Sequence, residues 1–361
     1  MFRERLDRVR ARMADAGVDL LLLSVGADLP WLTGYEAMPL ERLTMLVVPR
    51  DATATLVVAR LEAPRVEERP DVFSLRPWEE TEDPVSIVAS LVGTGARRVA
   101  VGDQTWARFV VDLQHALPDA QWSRATAITG PLRMVKDAAE VDALRAAAHA
   151  VDDIATAMRD VRFQGRTEAE LSRELVDRML AAGHERANFA IVATAANAAS
   201  PHHEASSRVV ERGDVVLCDF GGTMRGYCSD ITRMFAVGEP DPEVRETYGV
   251  LVDAQERAFR AATVGTPCEQ VDKVARDAIA DAGLGDRFIH RTGHGIGLDA
   301  HEDPYLVTGN ASPIEAGNAF SIEPGIYLPG RFGLRLEDIV VATAAGPERL
   351  NDAPRDLAVV E

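Results

Sequence analysis

The sequence has few cysteines and no long apolar run. Its 361 residues include three cysteines, and none of them lies in a C-x-x-C pair: Cys218, Cys228 and Cys268. A sparse, odd set of this kind predicts a reducing compartment and no disulfide framework. The longest apolar run near the N-terminus, Leu20–Leu23, is too short for a signal peptide or a membrane span. We therefore expect a cytoplasmic protein.

Basic residues are also scarce relative to acidic ones. The chain has 39 Lys and Arg against 57 Asp and Glu, which gives a net charge of -18. Such a surface repels polyanions, so neither nucleic acid nor an anionic membrane is expected as a partner. The excess of carboxylates keeps the protein soluble, and part of it fits a metal site.

The length and the pattern of the chain predict two domains, residues 1–130 and 131–361. In the first, helical and strand patterns alternate, which predicts an α/β domain with a mostly parallel or mixed sheet. A helical stretch at 136–159 would connect the two. Helices are predicted at 2–16 and 84–92, and strands at 18–25, 43–48, 54–59, 97–101, 189–193, 215–220, 235–237, 319–322 and 338–342.

The second part contains two similar segments, 165–171 (GRTEAEL) and 265–271 (GTPCEQV). Each follows one helix and opens another, which ends in Ala-Gly. The identity is low, so chance similarity between amphipathic helices remains an alternative. A true repeat would give two α/β halves related by a pseudo-two-fold, with a site between them that takes ligands from both.

Two aspartates follow strand-like sequence. Asp219 ends an apolar run and precedes two glycines, and Asp230 lies eleven residues further on. A turn between two strands would bring them side by side, where one carboxyl takes up a proton unless a cation lies between them. In the alternative interpretation they cap turns or pair with Arg225 or Arg233.

Three further candidates lie in the last quarter of the chain. His294 has glycine on both sides, which lets a ligand approach the imidazole, although a lone histidine is often an ordinary core residue. Glu323 lies at a strand end directly before a proline. Glu337 is predicted in the next strand, and Arg335 lies on the same face because side chains alternate along a strand.

Together the five candidates form a ligand set: Asp219, Asp230, His294, Glu323 and Glu337. Carboxylates with a single imidazole suit Mn²⁺, Fe²⁺, Co²⁺ or Zn²⁺. Four carboxylates can hold two such ions, which lie roughly 3.5–4 Å apart in dinuclear sites. A water between the ions would lose a proton and become a nucleophile. The sequence therefore predicts a dinuclear metal-dependent peptidase.

In these motifs the sequence resembles the pita-bread metallopeptidases, the family of methionine aminopeptidase, aminopeptidase P and prolidase. The matching motifs are DFG at 219–221, SDITR at 229–233, TGHGIG at 292–297, IEPGIY at 322–327 and RLED at 335–338. The first third, including WLTGY at 31–35, is similar to the creatinase-type N-terminal domain. The resemblance implies an α/β (α+β) protein in which that domain precedes a pita-bread catalytic domain with pseudo-two-fold symmetry.

The resemblance also implies a role for each ligand candidate. Asp219 would bind one metal, and Asp230 and Glu337 would bridge both. His294 and Glu323 would complete the shell of the other metal. Glu323 would in addition carry a proton from the attacking water to the leaving nitrogen.

Four more residues receive roles from the resemblance. His202 and His301 match two histidines that touch the substrate and stabilise the tetrahedral intermediate, and His202 is preferred over the adjacent His203. Arg335 would orient a bridging carboxylate at the substrate site, and Tyr227 would line the pocket.

The implied reaction is hydrolysis of Xaa-Pro dipeptides by a hydroxide that bridges two divalent ions, with Mn²⁺ preferred and Co²⁺ or Zn²⁺ as alternatives. The alternatives are aminopeptidase P-type removal of a residue before proline, or a related amide hydrolase such as an ectoine or creatine hydrolase. A non-catalytic member of the fold would typically have lost ligands that this chain retains. The family also implies a homodimer formed through the N-terminal domain.

One expected group is missing. Some prolidases carry an arginine before the first glutamate ligand, where it holds the carboxylate of the substrate, but residues 302–322 contain no Lys or Arg. Arg331, or an arginine from the N-terminal domain of a partner subunit, would have to serve. This leaves room for a substrate longer than a dipeptide.

Overall fold

The structure, a computed structural model, describes residues 1–92 and 96–361 of the chain. These residues fall into two units, Met1–Arg133 and Met134–Glu361. In the described part, none of the helices combines the length and the apolar character that crossing a membrane requires.

The first unit begins with the predicted helix α1, Phe2–Ala16. It buries Leu6, Val9 and Met13, whose spacing of three and four residues places them on one face. The helix ends at Gly17, whose φ of 65° is a left-handed conformation that glycine adopts without strain. The helix predicted from the periodicity of the sequence is therefore confirmed.

A six-stranded mixed sheet forms the centre of the first unit, in the order β4-β3-β2-β1-β5-β6. β1 is fully buried and pairs antiparallel with β2 and parallel with β5. The strands are β1 (Leu20–Leu23), β2 (Met45–Pro49), β3 (Ala54–Ala59), β4 (Phe73–Trp78), β5 (Arg98–Val101) and β6 (Gln121–Arg124). The remaining helices are α2 (Asp28–Thr33), α3 (Pro84–Val92), α4 (Ala107–Ala116) and α5 (Thr126–Met134).

Two helix pairs organise the second unit. The helix predicted to connect the two domains is α6, and Asp137 caps its N-terminus. The Asp137 carboxylate accepts from the N–H of Glu140, and the Glu140 carboxylate accepts from the N–H of Asp137. The helices of this unit are α6 (Ala138–Ala157), α7 (Glu168–Ala181), α8 (Pro242–Ala261) and α9 (Cys268–Asp281).

The strands of the second unit form two five-stranded sheets and a hairpin. One sheet has the order β18-β10-β8-β7, with β9 paired to β8, and the other has the order β12-β11-β13-β16-β17. The strands are β7 (Arg186–Thr194), β8 (Val215–Met224), β9 (Tyr227–Cys228), β10 (Ile231–Val237), β11 (Gly293–Gly295), β12 (Glu302–Leu306), β13 (Ala319–Ile322), β14 (Gly325–Leu328), β15 (Phe332–Arg335), β16 (Asp338–Thr343), β17 (Gly346–Arg349) and β18 (Ala358–Val360).

The two halves of this unit repeat the same backbone hydrogen bonds. The Gly165 N–H donates to the carbonyl of Val210 at 2.9 Å, and the Gly265 N–H donates to the carbonyl of Ile314 at 2.8 Å. Each of these glycines leads into the second helix of its pair, α7 or α9. These matched hydrogen bonds support the predicted doubling of the second unit.

The alternation of side chains along β8 decides which way its aspartate points. Cys218 and Phe220 are buried in a core with α6 and α7. Leu217 faces the opposite way, into a core that includes α8 and α9. Asp219 shares the face of Leu217 because residues two apart on a strand point the same way. Its carboxylate is thus directed toward the other half of the unit.

Candidate functional site

The second unit contains a cavity of about 750 Å³, which lies within the size range of small-molecule sites. Its lining combines acidic side chains, histidines and two arginines with apolar side chains. The lining residues are Phe189, Ile191, Ser200, Pro201, His202, Asp219, Asp230, Ile289, His290, Arg291, His294, His301, Glu323, Arg335 and Glu337. All five predicted ligands are among them.

Pairing between strands brings three of the acidic residues together. Asp219 of β8 lies opposite Thr232 of β10, and Asp230 directly precedes β10. The backbone of Thr232 bridges that of Glu337, and Thr232 Oγ1 donates a 2.8 Å hydrogen bond to Glu337 Oε2. Glu337 lies between β15 and β16, not inside a strand as the sequence predicted, because the chain crosses there from the hairpin to the large sheet.

Close backbone packing places the histidine and the remaining glutamate. A Cβ on Gly293 would lie 1.9 Å from the carbonyl oxygen of Ser321, and one on Gly295 would lie 2.2 Å from a backbone oxygen of β12. Only glycine therefore lets β11 fit between its neighbours. The N–H of His294 donates to Ser321 Oγ at 3.0 Å, and Glu323 directly follows β13.

The carboxylates of the cluster disfavour one another's ionisation. Burial first, and then the charges of neighbouring carboxylates, raises the pKa of Asp230 and that of Glu337 well above their ordinary values. Burial also raises the pKa of Glu323 to about 7, although the nearby guanidinium of Arg335 acts in the opposite direction. Buried carboxylates ionise together only when positive charge compensates them.

The His294 imidazole presents a lone pair to this cluster. Its Nδ1 lies 3.1 Å from the carbonyl oxygen of Gly295, which can only accept, so Nδ1 carries the proton. Burial lowers the pKa of His294 to about 3, and the ring is therefore neutral. The unprotonated Nε2 lies 3.3 Å from Glu323 Oε1 and 3.9 Å from Asp230 Oδ2. Lone pairs that converge in this way suit a shared cation.

The donor set fits a divalent metal. Three buried carboxylate oxygens accept no hydrogen bond from any described residue: Asp219 Oδ1, Asp230 Oδ1 and Glu337 Oε1. Ligand atoms of Asp230, His294 and Glu337 lie within 4.8 Å of one another. A buried acceptor without a donor costs about 1–3 kcal/mol. Carboxylate oxygens with an imidazole nitrogen are ligands that Mn²⁺, Co²⁺ and Zn²⁺ accept.

Arg335 is the buried cation of the site. Its guanidinium pairs with Asp219 Oδ2 and donates to the Tyr327 hydroxyl at 2.9 Å. His290 Nδ1 donates to the carbonyl of Arg291 at 2.7 Å, so His290 Nε2 accepts the Tyr327 hydroxyl proton at 2.8 Å. Arg335 thus orients Asp219, whereas the sequence predicted contact with a carboxylate that bridges both metals.

The other two predicted histidines reach the cavity. His202 and His301 both line it, and the rings of His301 and His294 lie 4.0 Å apart between centroids. The neighbouring His203 turns away, and its Nε2 lies 2.8 Å from Glu168 Oε2. The roles of His202 and His301 stay predictions, but their positions are those that the roles require.

Two side chains that were expected at the substrate lie elsewhere. Tyr227 is not among the cavity residues, because it points toward α6 and its hydroxyl donates to Glu140 Oε1 at 2.8 Å. The half-exposed guanidinium of Arg331 pairs with the Glu243 carboxylate. Arg331 is likewise absent from the cavity lining, so the expectation that it holds a substrate carboxylate is wrong.

Sequence reasoning missed several cavity residues. His290 and Arg291 directly precede the TGHGIG motif, and their adjacency to His294 was the one signal that could have identified them. The apolar lining residues gave no signal, because they lie far apart in the chain: Phe189 and Ile191 belong to β7, and Ile289 lies in the connection between α9 and β11.

Comparison with known proteins agrees with this geometry. Residues 142–344 match metallopeptidase family M24, and residues 5–135 match the creatinase/prolidase N-terminal domain. The probable dipeptidase PepE of Mycobacterium tuberculosis is 42% identical over 100% of this chain and 97% of its own length. The Xaa-Pro dipeptidase of Lactobacillus helveticus is 34% identical over 98% of each chain. The solved prolidase of Thermococcus sibiricus is 33% identical, with a TM-score of 0.93 over 100% of this chain and 99% of its own.

Buried carboxylates and a neutral imidazole, set in a cavity of a doubled α/β unit, define a metal-dependent hydrolase. The chain belongs to metallopeptidase family M24 and carries the creatinase-type N-terminal domain of that family. It is therefore an enzyme, and the predicted pita-bread fold is confirmed.

Proposed function

We propose that this enzyme is an Xaa-Pro dipeptidase that works with two divalent metal ions, Mn²⁺ preferred. The observation that carries the proposal is the combination in a single cavity of five candidate ligands and an arginine, Arg291, that forms no ion pair with any described residue. The names of the relatives, a probable dipeptidase and an Xaa-Pro dipeptidase, support the same substrate class.

The metal-binding proposal assigns each ligand a place. Asp219 would bind one ion, Asp230 and Glu337 would bridge the pair, and His294 with Glu323 would bind the other ion directly. When bound, the ions supply positive charge that polarises the scissile carbonyl and makes a water acidic near neutral pH. The orphaned oxygens of Asp219, Asp230 and Glu337 support this assignment.

Glu323 is the proposed proton carrier. Glu323 would take a proton from the attacking water and deliver it to the leaving nitrogen, and its Oε1 lies 3.3 Å from Nε2 of His294, inside the ligand cluster. His202 and His301 would donate hydrogen bonds to the oxygen of the tetrahedral intermediate. Burial and the charge of Arg291 lower the pKa of His301, so it would act as a neutral N–H donor.

Arg291 is the proposed partner of the substrate carboxylate. It lines the cavity, lies 4.3 Å from the centroid of the Tyr305 ring, and forms no ion pair with the residues described by the structure. The other arginine of the cavity, Arg335, is already paired with Asp219. A guanidinium in the same cavity as the metal ligands would select a substrate in which the residue after the scissile bond carries the terminal carboxylate.

The apolar part of the cavity suits proline. A proline nitrogen in a peptide bond carries no N–H, and its ring is apolar and fixed in φ. Phe189, Ile191 and Ile289 offer apolar surface beside the metal ligands. A ring packed there would need no hydrogen-bond acceptor from the protein.

Hydrolysis of matched peptides tests the function. Metal-stripped enzyme is assayed on Ala-Pro, Ala-Pro-amide and Ala-Pro-Ala with Mn²⁺, Co²⁺ or Zn²⁺ added back, and Glu323→Ala serves as the inactive control. We expect Mn²⁺-dependent cleavage of Ala-Pro. Cleavage of the tripeptide alone would instead indicate an aminopeptidase P-type enzyme. No cleavage of any peptide by metal-loaded enzyme would favour another amide substrate, such as that of an ectoine hydrolase.

The Arg291→Ala variant tests the carboxylate partner. A charged hydrogen bond is worth about 1.5–3 kcal/mol, so kcat/KM for Ala-Pro should fall about 10- to 100-fold while that for Ala-Pro-amide changes little. Arg287→Ala, in the same connection but exposed and outside the cavity, is the matched control. Equal losses on both substrates would contradict a role at the carboxylate.

The homodimer and the cytoplasmic location stay predictions. Sedimentation velocity of the purified protein checks the first, with a mass of twice 39.1 kDa as the expected result. Fractionation of the source cells checks the second.

A further inference from the structure

Glu168 is a buried carboxylate that lies outside the cavity. It occupies the first turn of α7, and none of its surface is exposed. Burial alone would raise its pKa, but hydrogen bonds from Ser206, Asn197, His203 and Thr194 outweigh burial and lower the pKa to about 2. The group is therefore ionised at neutral pH, and it owes that state to its hydrogen-bond donors.

Every side-chain donor to Glu168 comes from one short segment, residues 194–206. Oε1 accepts the N–H and the hydroxyl of Thr194, both at 2.8 Å, and the Asn197 amide at 3.0 Å. Oε2 accepts the N–H of Ser206 at 3.0 Å, its hydroxyl at 2.6 Å, and lies 2.8 Å from His203 Nε2. The Glu168 carboxylate thus contacts the first and last residues of the segment, Thr194 and Ser206, and also two residues between them, Asn197 and His203.

The same segment supplies one wall of the cavity. Ser200, Pro201 and His202 line the cavity, and all three lie between the residues that bind Glu168. His202 and His203 are adjacent, yet the first faces the cavity and the second faces Glu168. The contact at His203 therefore helps to decide the direction of His202.

We propose that Glu168 is a positioning residue that directs His202 into the cavity by binding residues 194–206. The proposal rests on the peptidase function given above, in which His202 touches the substrate. Glu168 itself is not a catalytic residue, because it reaches the reaction only through this segment.

The second half of the unit contains a similar contact, made by a carboxylate that lies one helical turn further along its helix than Glu168 does. Asp272 of α9 is fully buried and accepts from the N–H and hydroxyl of Thr292 at 3.0 and 2.8 Å. Thr292 lies between His290 and His294, both of which line the cavity. Asp272 also pairs with Arg276, whereas among the described residues Glu168 has His203 as its ion-pair partner.

Glu168→Gln is the informative substitution. Glutamine keeps the shape of the side chain but replaces one carboxylate oxygen with an NH₂ group, which cannot accept a hydrogen bond. Donors of the segment that face this group, such as the backbone N–H of Ser206, would lose their acceptor. Loss of a residue that orients a site residue by hydrogen bonding, without itself entering the site, typically lowers activity on the order of 10- to 100-fold. We expect this fall in kcat, with Mn²⁺ binding measured by calorimetry unchanged. Glu170→Gln, an exposed cap on the same helix turn, is the control and should retain activity.

A double-mutant cycle separates positioning from general damage. If Glu168 acts through His202, the fall in kcat caused by Glu168→Gln should largely disappear in a His202→Ala background. The same fold-loss in both backgrounds would overturn the proposal. His203→Ala should show a smaller loss of the same kind, and His203→Gln, which still donates to Glu168, should restore kcat.

Hydrogen–deuterium exchange gives a readout that does not require the substrate. Residues 194–206 should exchange faster in Glu168→Gln than in the wild type, while residues 290–295 stay unchanged. Failure of the dipeptidase proposal would appear as a wild-type enzyme inactive on Xaa-Pro peptides with this exchange difference intact. Unchanged exchange in 194–206 would refute the positioning role whatever the substrate is.

Discussion

Glu323→Gln is expected to stabilise the metal-free protein at pH 8 and to change its stability little at pH 5. The pKa of Glu323 is raised from an ordinary value of 4.5 to about 7 in the folded state. A carboxyl with a raised folded pKa contributes stability that is fully present below pH 4.5 and is lost as the pH rises through 7. Glutamine resembles the protonated form and has no charge to lose.

The size of the effect follows from the two pKa values. They differ by about 2.5 pH units, and each unit corresponds to about 1.36 kcal/mol, so the wild type should lose about 3 kcal/mol relative to the variant by pH 8. The pKa of Glu337 is also raised by the charge of Glu323, so removing that charge acts in the same direction. The lowered pKa of His294 gives stability that is lost as the pH falls through 3, and it affects both proteins alike.

Urea unfolding in EDTA at pH 5, 6, 7 and 8 measures the difference. Circular dichroism is the suitable probe, because all four tryptophans (Trp31, Trp78, Trp106 and Trp122) lie in the first unit and do not report on the site. Parallel pH profiles for the two proteins would refute the reasoning. Saturating Mn²⁺ should reverse their order, because a ligand at 100 times its Kd adds about 2.7 kcal/mol to the protein that binds it.

Three further substitutions have outcomes that the packing predicts, all measured by urea unfolding with circular dichroism. Gly333→Ala would place a Cβ 1.8 Å from the carbonyl oxygen of Ala198 and should destabilise the protein by at least about 2 kcal/mol; an unchanged midpoint would contradict this packing. Gly249→Ala, exposed inside α8 with open space around it, should stabilise by about 0.5–1 kcal/mol. Arg335→Met leaves Asp219 without its cation and should destabilise the metal-free protein by about 3–5 kcal/mol, unless the carboxylate finds another partner.

Much of the fold follows from local pattern. The bounds of four elements match their predictions: α1 (Phe2–Ala16), β3 (Ala54–Ala59), α3 (Pro84–Val92) and β13 (Ala319–Ile322). β10 was predicted only at its end, 235–237, although it starts at Ile231. The first half of β10 contains Arg233, whose guanidinium is buried and donates to Asp338 at 2.7 Å. That partner lies 105 residues away, so no local pattern could identify it.

Some residues of the candidate site can likewise be identified from local sequence, and others cannot. Each ligand candidate has a local signature, such as the glycines around His294 or the strand that ends at Glu323, and these signatures name the residues without their geometry. His290 and Arg291 have no such signature, and they entered the site only because β11 fits between two other strands. Tyr227 lies two residues before the SDITR motif, yet its strand turns it toward α6.

By itself, then, the sequence determined the family, the doubled α/β plan and the five donor residues, because these depend on residue type, periodicity and short motifs. Only the tertiary structure decided which side chains converge. It directed His202 into the cavity and His203 toward Glu168, and it paired Arg335 with Asp219. Directions of this kind depend on contacts between segments separated in the chain, and such contacts form only when those segments pack against one another.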